Sequence, residues 1–224
     1  VASGSGFYIS EEGHIMTNHH VIEGCEKVRA HKKGVSDEAI IVAVDRVNDL
    51  ALLKLNKKPP FVFPISKDNP YPLQDIVVAG FPFGEAISSS LKFTRGIVSS
   101  LSGIGDNYSQ IQIDAALQPG NSGGPIIDDL GNVIGVAVSK LDLETILEDY
   151  GVVPENTNFG IKSSAVLNFI SANNVTTIPT TEQEVSKAEL SKNITKGTTY
   201  LSCWMTRDQI KKLKTKKVMF KEFE

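Results

Sequence analysis

Gly120-Asn121-Ser122-Gly123-Gly124-Pro125 is the stretch that decides how this chain is read. A serine set among glycines lets the backbone turn sharply and aim N–H groups at one point, where a developing oxyanion can be held. Small-residue runs also make ordinary turns, so the hexapeptide alone is only suggestive. Its context comes from earlier segments. Phe7-Tyr8-Ile9 reads as a short apolar strand, Glu11-Glu12-Gly13 as a turn and His14-Ile15-Met16-Thr17 as a second strand. Thr17-Asn18-His19-His20-Val21-Ile22 follows. Asp49 then opens the largely apolar run Leu50-Ala51-Leu52-Leu53-Lys54-Leu55.

A histidine, an acid and a serine in that order form one of the known chain orders of a Ser-His-Asp triad. Gly4-Ser5-Gly6-Phe7, Thr17 to Val21, Asp49 to Lys54, Gly120 to Pro125 and Asn158-Phe159-Gly160-Ile161 jointly resemble blocks of bacterial trypsin-like peptidases of the HtrA/DegP type. The resemblance covers roughly the first three quarters of the chain. It implies an all-β fold of two six-stranded antiparallel β-barrels, with a C-terminal helix and the active site in the cleft between barrels. It also implies a serine endopeptidase. By the family pattern the histidine before Val is catalytic, hence His20 rather than His19, with Asp49 and Ser122 as its partners. Gly120, Asn121 and Ser122 are the expected oxyanion hole.

The chemistry asks for these groups. A serine hydroxyl is a weak nucleophile and needs a base within about 2.6–3.2 Å. A free imidazole titrates near about 6.5 and suits that role. A carboxylate at Asp49 fixes its tautomer and orientation. The N–H groups of Gly120 and Ser122 are then placed to hold the tetrahedral oxyanion. Each residue also has a plainer reading. Ser122 can be a turn serine, Asp49 a strand cap, and Asp45 is a nearby rival acid. Adjacent residues diverge, so His19-His20 is a poor metal pair. His14 and His31 are read as surface or packing residues. No zinc-type Cys/His spacing or EF-hand loop occurs, and neither metal nor cofactor is expected.

Composition fits a globular protein, with 41% hydrophobic and 22% charged residues. A net charge of −3 gives no pull toward nucleic acid or an anionic membrane. No apolar run approaches the roughly 20 residues of a spanning helix. The chain starts with Val1 and is read as a fragment or processed form of a periplasmic or secreted protein. Residues 1–72 are assigned to a first barrel carrying His20 and Asp49. Residues 73–175 are assigned to a second barrel carrying Ser122 and to a terminal helix marked by Val166, Phe169 and Ile170. Expected strands include Lys27–Ala30, Ala39–Asp45, Ile76–Gly80, Lys92–Ser100, Ile111–Ala115, Gly124–Asp128 and Val133–Ser139. Pro59 to Pro72 reads as the link between barrels.

By the resemblance, the residue six before Ser122 lines the base of the pocket for the P1 side chain. Ala116 stands there, which disfavours a basic P1, because a neutral wall cannot offset desolvation of a cation. Val136, Ala137, Val138 and Ser139 are the expected substrate-pairing strand. Asn158 and Gly160 are expected near the pocket, and a small or medium apolar P1 follows. Lys162 stands where relatives often carry Pro, and is read as a solvated surface residue. The segment between Lys140 and Asn158 is read as a surface loop or as a flap over the cleft.

The residues after 175 are too few for the PDZ domain with which HtrA-like proteins usually continue. Residues 176–224 are read as a linker followed by the strand Tyr200 to Met205 and a basic stretch on a solvated helix. Because the chain begins too late to supply the usual first strand, the tail strand is expected to fill that slot beside Ser5 to Ile9. That would carry Cys203 toward Cys25. The pair is either a disulfide or two buried thiols. The expected partners are polypeptide substrates, with nucleic acid excluded and an oligomer left open. Two other readings remain: a catalytically silent peptide-binding or chaperone-like module on the same fold, and a hydrolase of small acyl compounds.

Overall fold

The computed structural model describes residues 2–32, 34–82, 90–139 and 156–211. One barrel contains β1 (Ala2–Tyr8), β2 (His14–Asn18), β3 (Lys27–Lys32), β4 (Val35–Asp45), β5 (Leu50–Lys54) and, from the far end of the chain, β12 (Thr198–Trp204). It closes in the order β1-β12-β3-β4-β5-β2. The other contains β6 (Asp75–Gly80), β7 (Lys92–Ser100), β8 (Gln110–Ile113), β9 (Pro125–Ile127), β10 (Val133–Val138) and β11 (Asn158–Lys162), closed as β10-β11-β8-β7-β6-β9. All pairings within the barrels are antiparallel. The fold is thus the two six-stranded barrels that the sequence implies. Among the described residues, α1 (His19–Ile22), α2 (Ser163–Ala172) and α3 (Lys187–Gly197) accompany them.

Three hydrophobic clusters explain the sequence pattern. Tyr8, Ile15, Val21, Val28, Ala51, Leu53 and Leu201 fill the first barrel. Ile76, Val78, Val98, Ile111, Ile113 and Ile126 fill the second. The third cluster lies between the barrels and includes Phe7, Met16, Leu50, Leu52, Phe63, Val136, Ile161 and Val166. Strand β5 contributes to two of them. Ala51 and Leu53 point into the first barrel, whereas Leu50 and Leu52 face the shared core. A strand buried on both faces needs an unbroken apolar run, and Leu50-Ala51-Leu52-Leu53 is one.

Strand β7 has the expected ends, and other strand ends differ from the sequence expectation by up to four residues. Strand β4 starts at Val35 rather than Ala39, and β3 runs on to Lys32. The tail strand starts at Thr198 and pairs with Ala2 to Phe7 of β1, a register nearer the N-terminus than Ser5 to Ile9. On its other edge it pairs with β3, from Tyr200↔His31 to Trp204↔Lys27.

The segment expected as a plain linker is anchored. Asn132 Nδ2 donates to Thr181 O, and Thr181 N–H donates to Asn132 Oδ1, each at 2.8 Å. Helix α3 follows and is absent from the sequence reading. Its signal was the N-cap serine: Ser186 Oγ accepts the N–H of Glu189 at 3.2 Å. Only Leu190 and Ile194 anchor it in the shared core, too few for the polar composition to show a helix. Gly197 ends it where an added Cβ would collide with the ring of Phe63, which lets the chain pass directly into β12. Residues 207–211 of the basic stretch are helical.

Cys25 and Cys203 form a disulfide across 178 residues, with Cα atoms 5.3 Å apart. It ties the segment after α1 to the tail strand. His14 lies at the start of β2, buried, with Nδ1 2.7 Å from Ser10 Oγ. Burial lowers its pKa from 6.5, nearby Lys54 adds to the effect, and Glu12 partly opposes it.

Reduction, or the Cys25→Ser/Cys203→Ser pair, should destabilise the fold by about 2–4 kcal/mol. Calorimetry with and without reductant checks this, and coincident transitions would contradict it. Neutral His14 contributes stability that is complete above its unfolded value of 6.5 and is lost as pH falls through the lower folded value. Urea titrations should therefore show a loss below about pH 6.5 that His14→Gln flattens.

Candidate active site

The geometry starts at Gly4. A Cβ there would lie 2.7 Å from both methyl groups of Val21, so the missing side chain lets α1 sit against β1. Helix α1 buries Val21 and Ile22 and leaves His20 at the barrel edge, with its side chain 18% exposed. Across from it is Asp49, held in the left-handed region at φ 54. Its carbonyl accepts Asn18 Nδ2 at 3.0 Å and His19 N–H at 3.1 Å. Its carboxylate accepts His20 N–H at 2.9 Å through Oδ1, and its Oδ2 is 2.6 Å from His20 Nδ1. Such a short charge-assisted contact fixes which ring nitrogen carries the proton and leaves Nε2 as the free acceptor.

Asp45 does not compete for His20. It accepts Val47 N–H, Asn48 N–H and Asn48 Nδ2, at 3.0, 3.0 and 2.7 Å. Partial burial raises its pKa, but the bonds from Asn48 and Val47 outweigh it and the net shift is downward.

The Ser122 loop is fixed from several directions. Asn121 N–H donates to Gln118 O at 2.9 Å and Gly124 N–H to Asn121 O at 2.9 Å. Gly123 N–H reaches Ala137 O at 2.9 Å, and Ala137 N–H returns to Gly124 O at 2.8 Å. Gly120 and Gly123 have φ of 105 and 82, a region that favours glycine. Ser5 holds the loop to the first barrel: its N–H donates to Ser122 O at 2.8 Å and its hydroxyl to Gly120 O at 2.7 Å. Thr17 Oγ1 in turn donates to Ser5 O at 2.7 Å. Ser122 Oγ accepts Ser139 N–H at 3.1 Å.

The commitment of Asn121 N–H to Gln118 removes it from the expected oxyanion donors. The N–H groups of Gly120 and Ser122 are left as the pair without a hydrogen-bond acceptor among the described residues.

The expected specificity residues separate into two groups. Ala116 is exposed, and Asn158 Nδ2 donates to the adjacent Ala115 O at 3.0 Å, so both sit at one place on the surface. Gly160 lies elsewhere: it is buried, and a Cβ on it would collide with Ile126 Cδ1 inside the second barrel. Its missing side chain leaves room for Ile126. Val136 and Ala137 are buried and already engaged, Val136 between Pro125 and Ile161, Ala137 against Gly123 and Gly124. Val138 ends β10 and pairs with Phe159, and Ser139 follows it. Lys162 is half-buried rather than freely solvated. Its Nζ donates to Leu101 O at 2.6 Å, and burial lowers its pKa. The segment expected as a flap falls mainly on residues 140–155, outside those described.

Sequence reasoning did not assign roles to Ser5, Thr17 and Asn18. Ser5 lay within a quoted block, but its Gly120 partner is 115 positions away. His14 contacts Ser10 within its own turn, and His31 contacts Ser202 on the tail strand. Among the described residues no cluster of His, Cys, Asp and Glu could hold a metal.

The trypsin-like peptidase domain model matches residues 4–136. Uncharacterized protein y4bJ of Sinorhizobium fredii is 36% identical over 90% of this chain and 32% of its own length. A probable periplasmic serine endoprotease, DegP-like, of Brucella suis is 43% identical over 61% of this chain and 27% of its own length. The crystal structure of the serine endoprotease from Yersinia pestis superposes with a TM-score of 0.61 at 30% identity, covering 76% of this chain and 57% of that one. The chain thus spans about a third or less of these curated relatives. With a family model matching from Gly4 to Val136 on a two-barrel fold, the chain belongs to the trypsin-like peptidase family.

Proposed function

We propose that this chain is a serine endopeptidase domain that cleaves polypeptides through Ser122, His20 and Asp49. The observation that carries this reading is the 2.6 Å contact between Asp49 Oδ2 and His20 Nδ1, beside a serine loop with two N–H groups left over. His20 Nε2 takes the Ser122 proton as Oγ attacks the scissile carbonyl, and Asp49 stabilises the resulting imidazolium. The N–H groups of Gly120 and Ser122 hold the oxyanion. The imidazolium then gives its proton to the leaving amine, and water, deprotonated by the same nitrogen, cleaves the acyl-enzyme. For attack the hydroxyl leaves Ser139 N–H and turns toward His20.

The substrate's acyl side pairs with Ser139 at the end of β10. Ala116 and Asn158 form a small, uncharged pocket rim, and the preferred P1 residue is small or medium and apolar. The disulfide and the periplasmic naming of the Brucella relative support an oxidising, periplasmic or secreted location. A second reading, a silent peptide-binding module, has one observation in its favour: Ser122 Oγ is held by Ser139 N–H.

A fluorophosphonate probe separates the two. Labelling at Ser122 that disappears in Ser122→Ala is expected, and an unlabelled wild type contradicts the peptidase. Asp49→Asn should lower kcat by about 10³–10⁴-fold, the scale for removing the orienting carboxylate from such a triad. Because only neutral imidazole accepts a proton, the rate should fall in acid. A rate unchanged in acid would contradict His20 as base. Digests of an unfolded protein, read by mass spectrometry, should show small or medium apolar residues before the cut.

A further inference from the structure

The tail strand builds a surface beside the nucleophile loop. Ser5 Oγ, which donates to Gly120 O, also accepts Phe81 N–H at 3.0 Å. Ser5 stands opposite Tyr200 on β12, and Tyr200 stands opposite His31 on β3. Cross-strand partners project to one face, so three neighbouring strands present Ser5, Tyr200 and His31 in a row. The His31 and Tyr200 rings are 5.2 Å apart, and the Tyr200 and Phe81 rings meet edge-on at 5.9 Å. All three rings are half-buried, with apolar area still open to a partner. Farther along the face, Ser202 Oγ is 2.6 Å from His31 Nε2 and accepts Trp204 Nε1–H at 3.0 Å. Trp204 is 49% exposed and is the chain's single tryptophan.

The position of this row relative to Ser122 gives it a direction. Ser139 N–H reaches Ser122 Oγ from the β10 side, whereas Ser5 N–H holds Ser122 O from the β1 side. A peptide whose acyl half pairs along Ser139 sends its leaving half toward Ser5, and the rings lie next to it. We propose that Phe81, Tyr200 and His31 form a leaving-group subsite that takes an aromatic or large apolar side chain within the first three residues after the scissile bond. The occupant is the substrate's own leaving segment. The inference rests on the peptidase reading above. The tail strand thereby gains a second role, since β12 closes the barrel through its two edges and contacts substrate with its outer face.

Two measurements test it separately from the peptidase reading. Quenched-fluorescent peptides are compared that differ only in Phe or Gly at each of the first three leaving-group positions. At one position Phe should raise kcat/KM about tenfold, the scale of burying one aromatic ring. That ratio should approach one in Tyr200→Ala and persist in Tyr200→Phe. Equal rates at all three positions in the wild type would overturn the subsite. The Ser122→Ala protein is then titrated with the leaving segment alone, using Trp204 fluorescence. A saturable change with the Phe peptide and none with its Gly counterpart supports the subsite even where no peptide is cleaved, an outcome that would sink only the peptidase reading. Cleavage without preference and without saturation would sink only the subsite.

Discussion

Ser5 is the residue on which the arrangement depends. It is fully buried, and its three polar groups make four hydrogen bonds: to Ser122 O, to Gly120 O, from Thr17 Oγ1 and from Phe81 N–H. Phe81, Gly120 and Ser122 belong to the second barrel, Thr17 to the first. Each bond lies in a buried or half-buried place where an unmatched polar group costs about 1–3 kcal/mol. The relative position of the His20 edge and the Ser122 loop is thus set by hydrogen-bond geometry as well as by the apolar contact between barrels. Such preorganisation lets an oxyanion site stabilise charge without moving at the moment of reaction.

Ser5 is itself held by chain from the far end. Strand β12 pairs with β1 from Ala2↔Cys203 to Phe7↔Thr198, and the disulfide fixes the same strand next to the segment that follows α1. Without β12, β1 would present an open edge, a liability that barrels remove by closure. Contacts between residues so far apart in sequence carry a loop-closure cost in folding and favour slow assembly. The cross-link offsets part of that cost by restricting the unfolded chain. Fold stability and site geometry therefore share one element, and a tail that looks peripheral in sequence is structural.

The sequence was most legible where chemistry and local pattern coincide. Leu50 to Leu53 announced a strand, though not its burial on both faces, and the glycines around Ser122 announced a turn that only such residues make easily. The choice of Asp49 over Asp45 followed from the strand it leads into, and hydrogen bonding explains it: Asp45 serves its own turn. What stayed hidden was set by distant partners. Gly160 lay in a block associated with the pocket, yet its lack of a side chain serves Ile126. Asn121 belongs to the oxyanion loop by position, yet its N–H turns inward to Gln118. Helix α3 could not be seen because its polar surface outweighs two apolar anchors. Val136 and Ala137 were placed on the right strand, but their neighbours already occupy both edges.

The proposed centre is His20, Asp49 and Ser122 around an anion cradle made by the N–H groups of Gly120 and Ser122. A crystal structure of the protein after reaction with a small fluorophosphonate tests it most directly. We predict phosphorus bonded to Ser122 Oγ and a phosphonyl oxygen about 2.7–3.1 Å from the nitrogens of both Gly120 and Ser122. His20 should still be paired with Asp49. An adduct whose oxygen points away from those two amides, or a His20 separated from Asp49, would contradict it.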